Sequence, residues 1–129
     1  MRTKAHRYRG IQSFVDAGRG FVTVLRTEWN FRIHAIMAML VALVGFLAEI
    51  SAGEWLAVVL SVGLVFAAEV FNTAIEYLAD AVHPEADQGV GMAKDAAAGG
   101  VLIAAVAATL VGAIVFLPKV WTWMTTSGS

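Results

Sequence analysis

Three long, largely apolar runs constrain the fold of this chain more than any other feature. They cover about residues 31–47, 55–80 and 96–117, and the first is close to the minimum length for a helix that crosses a bilayer. The chain of 129 residues is 59% hydrophobic and 15% charged, whereas a soluble domain is about half apolar and about a quarter charged. Backbone polar groups in lipid must be paired within a helix or a closed barrel. The sequence therefore predicts a single all-α membrane domain, 1–129, with three transmembrane helices.

A basic segment precedes the first span. Between residues 11 and 27 apolar side chains alternate with Asp16, Arg19 and Arg26, which is typical of an amphipathic helix lying in the headgroup region. Lys and Arg are concentrated at the N-terminal end of the chain, and only Lys94 and Lys119 come later. The positive-inside rule then predicts a multi-pass protein of the cytoplasmic (inner) membrane, with its N-terminus and the loop 81–91 in the cytoplasm.

Four polar residues interrupt the second run and lie on one helical face. Glu69, Asn72, Glu76 and Asp80 follow each other at spacings of three and four residues. A carboxylate inside a membrane helix is costly and by default marks a functional site. Glu69, nearer the apolar core, suits a general base, and Glu76, nearer water, suits a cation ligand. A polar packing seam between subunits and a proton path are the two other interpretations.

Three further charged residues are predicted to lie at the same membrane level. Glu28 and Glu76 together suit Mg²⁺, which needs only one or two carboxylates when phosphate completes its coordination shell. Considered alone, Glu28 is more simply interpreted as an ordinary carboxylate at a helix end. Lys94 suits either a phosphate at a helix N-terminus or the headgroup region. Asp95 suits either a nucleotide site or an N-cap. The residues alone leave these alternatives open.

Several other classes of site are excluded or disfavoured. The chain has no cysteine, which excludes disulfides and thiolate metal sites. It has no G-x-x-x-x-G-K-[ST] loop and no kinase Gly-rich loop with an H-R-D signature, so any nucleotide site differs from both. His34 and His83 have no partner at metal-ligand spacing and are assigned structural or interfacial roles. Nothing in the sequence suggests nucleic-acid binding.

Three sequence blocks carry a resemblance to a known family. They are EWNFRIH at 28–34, EVFNTAIE at 69–76 and AKDAAA at 93–98. Together with Asp80 they resemble the small prokaryotic integral-membrane lipid kinases, which comprise diacylglycerol kinase and the undecaprenol kinases. The similarity spans about residues 13–116, and E-x-x-N-x-A-I-E followed by A-K-D is a specific combination. The form E-x-N-x-R-I-H looks more like the undecaprenol kinase branch.

The resemblance implies a homotrimer with active sites shared between subunits, which transfers the γ-phosphate of ATP to a lipid hydroxyl with Mg²⁺. It implies that Glu69 is the general base, and that Glu28 and Glu76 hold the metal and help to bind the nucleotide. The other residues implied near the nucleotide are Asn72, Lys94, Asp95 and, in a poorly matching loop, Glu85 and Asp87. The residues implied near the lipid or nucleotide, besides Glu69, are Arg9, Arg32 and Ala98. Asp16 departs from the family, which often has an aromatic residue at that position.

The sequence therefore predicts an enzyme, an ATP-dependent lipid kinase acting on undecaprenol. Diacylglycerol is the alternative acceptor, because the acceptor depends on a lipid-facing groove built from interchangeable apolar residues. A non-enzymatic oligomer that conducts protons along the Glu69 stripe is the alternative of another class.

Overall fold

The computed structural model describes residues 3–83 and 87–126, and the side chains within these ranges from residue 10 onward. The described residues form four α-helices, α1 (Thr3–Thr27), α2 (Trp29–Leu47), α3 (Ala52–Val82) and α4 (Gln88–Thr126). Helices α2, α3 and α4 are each long and apolar enough to cross a membrane. The prediction of an all-helical chain with three spans is confirmed. The amphipathic character of α1 and the trimer stay predictions.

The connection between α2 and α3 is a tight turn ended by a capping box. Glu49 has a positive φ of 49°, and Ser51 is the N-cap of α3. The Ser51 hydroxyl accepts a hydrogen bond from the Glu54 backbone N–H at 3.3 Å, and the Glu54 carboxylate accepts one from the Ser51 N–H at 2.7 Å. Two N–H groups that the helix leaves unpaired are satisfied in this way. Helix α3 consequently begins before residue 55, where the apolar run starts.

Helix α4 is longer at both ends than the predicted span 96–117. Asp87 precedes it, and its Oδ1 accepts a hydrogen bond from the Val90 N–H at 3.0 Å. The helix therefore starts ahead of two glycines that were predicted to lie in the loop 81–91. Asp95 lies inside α4, so its interpretation as an N-cap is wrong. Pro118 does not end the helix either, although it removes one backbone N–H, and Thr122 donates to its carbonyl at 2.9 Å.

An aromatic cluster attaches α1 to the membrane helices. Phe31 of α2 is fully buried and stacks on Phe66 of α3 with 5.0 Å between ring centroids. Phe21 of α1 meets both rings edge-on, at 5.2 and 6.4 Å. Such edge-on and offset pairs are the favoured aromatic arrangements. The cluster fixes α1 beside α2 and α3. It lies one turn before Glu69, the first of the four polar residues Glu69, Asn72, Glu76 and Asp80 on one face of α3, which we call the α3 stripe.

A second core lies towards the other end of the membrane helices. Ile50, Val58 and Val115 are its buried members, and Trp55 packs against them. Close to it, Lys119 of α4 pairs with Glu54 of α3 at 3.2 Å. Most other large apolar side chains of the described residues are exposed, as expected for a chain surrounded by lipid.

Gly45 permits the close approach of α2 to this core. A Cβ at residue 45 would lie 2.9 Å from Trp55 Cη2 and 3.1 Å from Ile50 Cδ1. Because both neighbours are packed in the core, we expect Gly45→Ala to destabilise the fold by about 1–3 kcal/mol. The measurement is the thermal unfolding midpoint in detergent micelles. Gly53→Ala is the control, since a Cβ there meets no atom within 4 Å, and equal midpoints for the two variants would contradict the expectation.

Candidate active site

Glu69 is a buried carboxylate in the membrane-spanning part of α3. It is 3% exposed, and its Oε1 lies 3.2 Å from Nε2 of His34 on α2. The two atoms are within reach but not aligned, and this Oε1 accepts no hydrogen bond from the described residues. A buried polar atom without a partner is rare in proteins and calls for an explanation. A buried carboxylate that no described residue neutralises with an aligned hydrogen bond is suited to accept a proton from a substrate.

Glu28 is held at the junction of α1 and α2 by hydroxyl groups. Its Oε1 accepts a hydrogen bond from the Thr27 hydroxyl at 3.0 Å. The Tyr77 hydroxyl of α3 lies 2.9 Å from the Thr27 oxygen and 3.4 Å from Glu28 Oε1. The backbone at Glu28 is extended, with φ −94° and ψ 118°, because one helix ends and the next begins there. These contacts connect the carboxylate of Glu28 to α3 through Tyr77, the residue that follows Glu76.

Asn72 and Glu76 are linked one turn apart on α3. The Asn72 amide donates to Glu76 Oε1 at 2.8 Å, and Asn72 Oδ1 accepts nothing from the described residues. Glu76 follows Glu69 by seven residues, two turns along α3, and the hydroxyl of Tyr77, the next residue, lies 3.4 Å from Glu28 Oε1. Glu28 and Glu76 therefore belong to the same end of the molecule, where each could contribute to the binding of a cation.

Lys94 of α4 completes the same end of the molecule. Its ammonium pairs with the carboxylate of Asp80, the last residue of the α3 stripe. Lys94 is half-buried and lies inside α4, so the predicted location at a helix N-terminus is wrong. Asp95 and Ala98, on the following turn, are exposed. The ion pair orients Lys94 towards the α3 stripe, where a phosphate group would need a positive charge.

Among the described residues, Arg32 and Asp87 make their contacts with backbone groups and with a neighbouring ring, and not with the side chains of the site acids. The Arg32 Nε donates to the Glu28 carbonyl at 3.4 Å, and its guanidinium lies 5.4 Å from the centre of the Trp29 ring. Arg32 is exposed beside Glu28, where it is available to an anionic group. Asp87 caps α4, which is a structural role. Glu85 and the side chain of Arg9 lie outside the described residues.

Two carboxylates of this site fit the needs of Mg²⁺. The described residues contain no group of three or more His, Asp or Glu side chains that could hold a metal without other ligands. Mg²⁺ bound to a nucleotide needs only one or two carboxylates, since phosphate oxygens and water supply the rest. Glu28 and Glu76 each use Oε1 in the contacts above. Each residue could therefore contribute one carboxylate to such an ion.

His34, Thr27 and Tyr77 are the contacts that the sequence did not assign to the site. His34 was interpreted as structural because it has no partner at metal-ligand spacing along the chain. Its partner, Glu69, lies on another helix, and so does the Tyr77 that reaches Glu28. The one available signal was that His34 belongs to the block EWNFRIH.

Comparisons with known proteins found similar sequences over most of the chain. The family described as prokaryotic diacylglycerol kinase matches residues 16–116. An undecaprenol kinase of Bacillus subtilis is 43% identical over 122 residues, which are 92% of this chain and 99% of that protein. A diacylglycerol kinase of Synechocystis is 35% identical over 113 residues, which are 87% of this chain but 65% of that protein.

Proposed function

The chain belongs to the prokaryotic diacylglycerol kinase family and is a lipid kinase, and from this premise we propose that it transfers the γ-phosphate of ATP to the hydroxyl of undecaprenol. The choice of acceptor is supported by the match to the Bacillus undecaprenol kinase, which extends over nearly the whole of both chains. The match to the Synechocystis diacylglycerol kinase is weaker and covers less of that protein, so diacylglycerol is the second candidate acceptor.

The observation that carries the proposed mechanism is the buried carboxylate of Glu69, whose Oε1 lies 3.2 Å from His34 Nε2 without an aligned hydrogen bond. The acceptor hydroxyl gives its proton to this carboxylate while its oxygen forms a bond to the γ-phosphorus. The bond between that phosphorus and the bridging oxygen breaks, and ADP leaves with the electron pair. Glu69 belongs to a helix long and apolar enough to cross the membrane, which suits an acceptor alcohol anchored in the bilayer by its tail. Glu69 loses its proton to water before the next cycle.

The polar residues between Glu69 and the C-terminal end of α3, with Glu28 and Lys94 beside them, bind and orient the donor nucleotide. Phosphoryl transfer depends mainly on positioning and on neutralisation of charge. Mg²⁺, when bound, supplies part of that neutralisation, and Glu28 and Glu76 would hold it. Asn72 orients Glu76 through its 2.8 Å hydrogen bond. Lys94 exchanges Asp80 for a phosphate oxygen, and Asp95, Arg32 and Ala98 line the approach from the same end of the helices.

The proposal includes a homotrimer whose active sites are shared between subunits, with the N-terminus and the nucleotide site in the cytoplasm. The extensive exposed apolar surface supports association of the membrane helices. The basic residues before the first span support this orientation. Because the chain is a lipid kinase, a proton path is not needed to explain why Glu69 is buried.

An acceptor comparison with the purified protein tests the proposed substrate. Radiolabelled ATP is supplied with undecaprenol or with diacylglycerol, each at the same mole fraction in the same detergent micelles. We expect kcat/KM for undecaprenol to exceed that for diacylglycerol by at least about tenfold, a difference of about 1.4 kcal/mol in transition-state binding. The Glu69→Gln protein gives the background. Equal rates, or a preference for diacylglycerol, would overturn the assignment of undecaprenol.

A further inference from the structure

We propose that His34 is a positioning residue for the catalytic carboxylate of Glu69. The proposal rests on the proposed function, because it takes Glu69 to be the general base. His34 Nε2 holds Glu69 Oε1 and leaves Oε2 to receive the proton of the acceptor hydroxyl. Glu69 is the group that touches the substrate in this scheme, and His34 acts only through it.

The first support is the isolation of the pair inside the molecule. The side chain of Glu69 is 4% exposed and that of His34 is 26% exposed, and they belong to different helices. Among the described residues, His34 Nε2 is the polar side-chain atom that comes within ion-pair distance of Glu69. A carboxylate with no other polar contact would be free to rotate, and its proton-accepting oxygen would have no fixed direction.

The second support is the packing next to the pair. Phe31 lies three residues before His34 on α2, and Phe66 lies three residues before Glu69 on α3, so each is a helical neighbour of one member of the pair. The two rings stack at 5.0 Å, and Phe31 is fully buried. This stack fixes the distance between the two helices where His34 meets Glu69. The contact is therefore held by rigid elements and not by a loop.

The third support is the geometry of the contact itself. Nε2 and Oε1 are 3.2 Å apart, which is hydrogen-bond distance, but the imidazole N–H is not directed at the oxygen. Catalytic hydrogen bonds are often misaligned without substrates and tighten in the reacting complex. In this proposal the hydrogen bond between His34 Nε2 and Glu69 Oε1 aligns when the substrates are bound.

Two substitutions at residue 34 separate positioning from packing. His34→Leu places an apolar side chain of similar size on α2 and removes the Nε2–H donor. We expect kcat to fall by about 10- to 100-fold, the scale of a misplaced catalytic group. The KM values for ATP and for the lipid acceptor should stay within about twofold. His34→Gln places an amide N–H near the position of Nε2 and should recover much of kcat.

The control addresses the cavity beside the pair. A cavity of about 370 Å³ between α2, α3 and α4 is lined by His34, Ser61 and Thr109 and by apolar residues that include Met37, one turn further along α2. Met37→Ala enlarges this cavity without removing a polar group, and we expect it to keep the wild-type kcat. All variants are compared in the same micelles after their assembly has been checked by size-exclusion chromatography.

The outcomes distinguish this proposal from the proposed function. A wild-type kcat in His34→Leu, or equal losses in His34→Leu and His34→Gln, would overturn the role of His34 while Glu69→Gln remained inactive. An increase in the KM for the lipid with unchanged kcat would also overturn it, because His34 would then bind substrate directly. Retained turnover in Glu69→Gln would instead contradict the assignment of the base, on which this inference rests.

Discussion

Replacing Glu69 by glutamine should reduce phosphoryl transfer by about 100- to 10,000-fold, the usual contribution of a general base. Glutamine has nearly the shape of glutamate but cannot accept the proton of the lipid hydroxyl. Its amide is neutral, so the substitution removes an acid from a buried position, where a charge is costly. We therefore expect the variant to fold at least as well as the wild-type protein, and to lose kcat without a comparable change in the KM for ATP.

The experiment needs a control that removes a carboxylate elsewhere. Glu49 lies exposed in the turn between α2 and α3, at the opposite end of the membrane helices from the polar cluster. Glu49→Gln should keep the wild-type rate in the same assay with radiolabelled ATP. If purified Glu69→Gln protein turned over lipid at the wild-type rate, Glu69 would not be the base. The buried acid would then need another explanation, such as the polar packing seam.

The sequence predicted the number of membrane helices correctly because hydropathy depends on composition over a long window. The ends of the helices were harder to predict from the sequence, because single capping side chains decide where a helix begins. Ser51 starts α3 through a capping box, and Asp87 caps α4 ahead of two glycines that suggest a loop. Pro118 suggests an end, yet the helix continues, because one missing N–H does not outweigh the other backbone bonds of a helix surrounded by lipid.

The candidate site was predictable where it depends on one helix and not where it depends on two. Spacing alone places Glu69, Asn72 and Glu76 on one face of α3, and the Asn72–Glu76 hydrogen bond follows from it. The contacts of His34 and Tyr77 with the site acids cross from one helix to another. The packing between helices, here the stack of Phe31 on Phe66, decides which side chains of two helices meet. The spacing of residues along the sequence does not predict such contacts.

Removing either of the two acids proposed to hold Mg²⁺, Glu28 or Glu76, should weaken the affinity of the enzyme for the ion. We expect Glu28→Gln and Glu76→Gln each to raise the Mg²⁺ concentration for half-maximal activity by about 10- to 100-fold, at least the effect of losing a group that orients a metal ligand. A neutral amide keeps one oxygen ligand but loses the charge that a hard cation prefers. The measurement is a Mg²⁺ titration at constant free ATP, with Glu49→Gln as the control.

The two variants should also differ in a way that their contacts predict. Glu76 is held by the Asn72 amide of its own helix, whereas Glu28 is held by hydroxyls of Thr27 and Tyr77 from two helices. Tyr77 therefore joins the α1–α2 junction to α3 through both Thr27 and Glu28. Because Glu28 also accepts a hydrogen bond from Thr27, Glu28→Gln should in addition loosen α1. Limited proteolysis of α1 should be faster in Glu28→Gln than in Glu76→Gln. If both variants gave the wild-type Mg²⁺ titration, neither residue would be a metal ligand, because loss of the charge of a ligating carboxylate must lower the affinity for the ion.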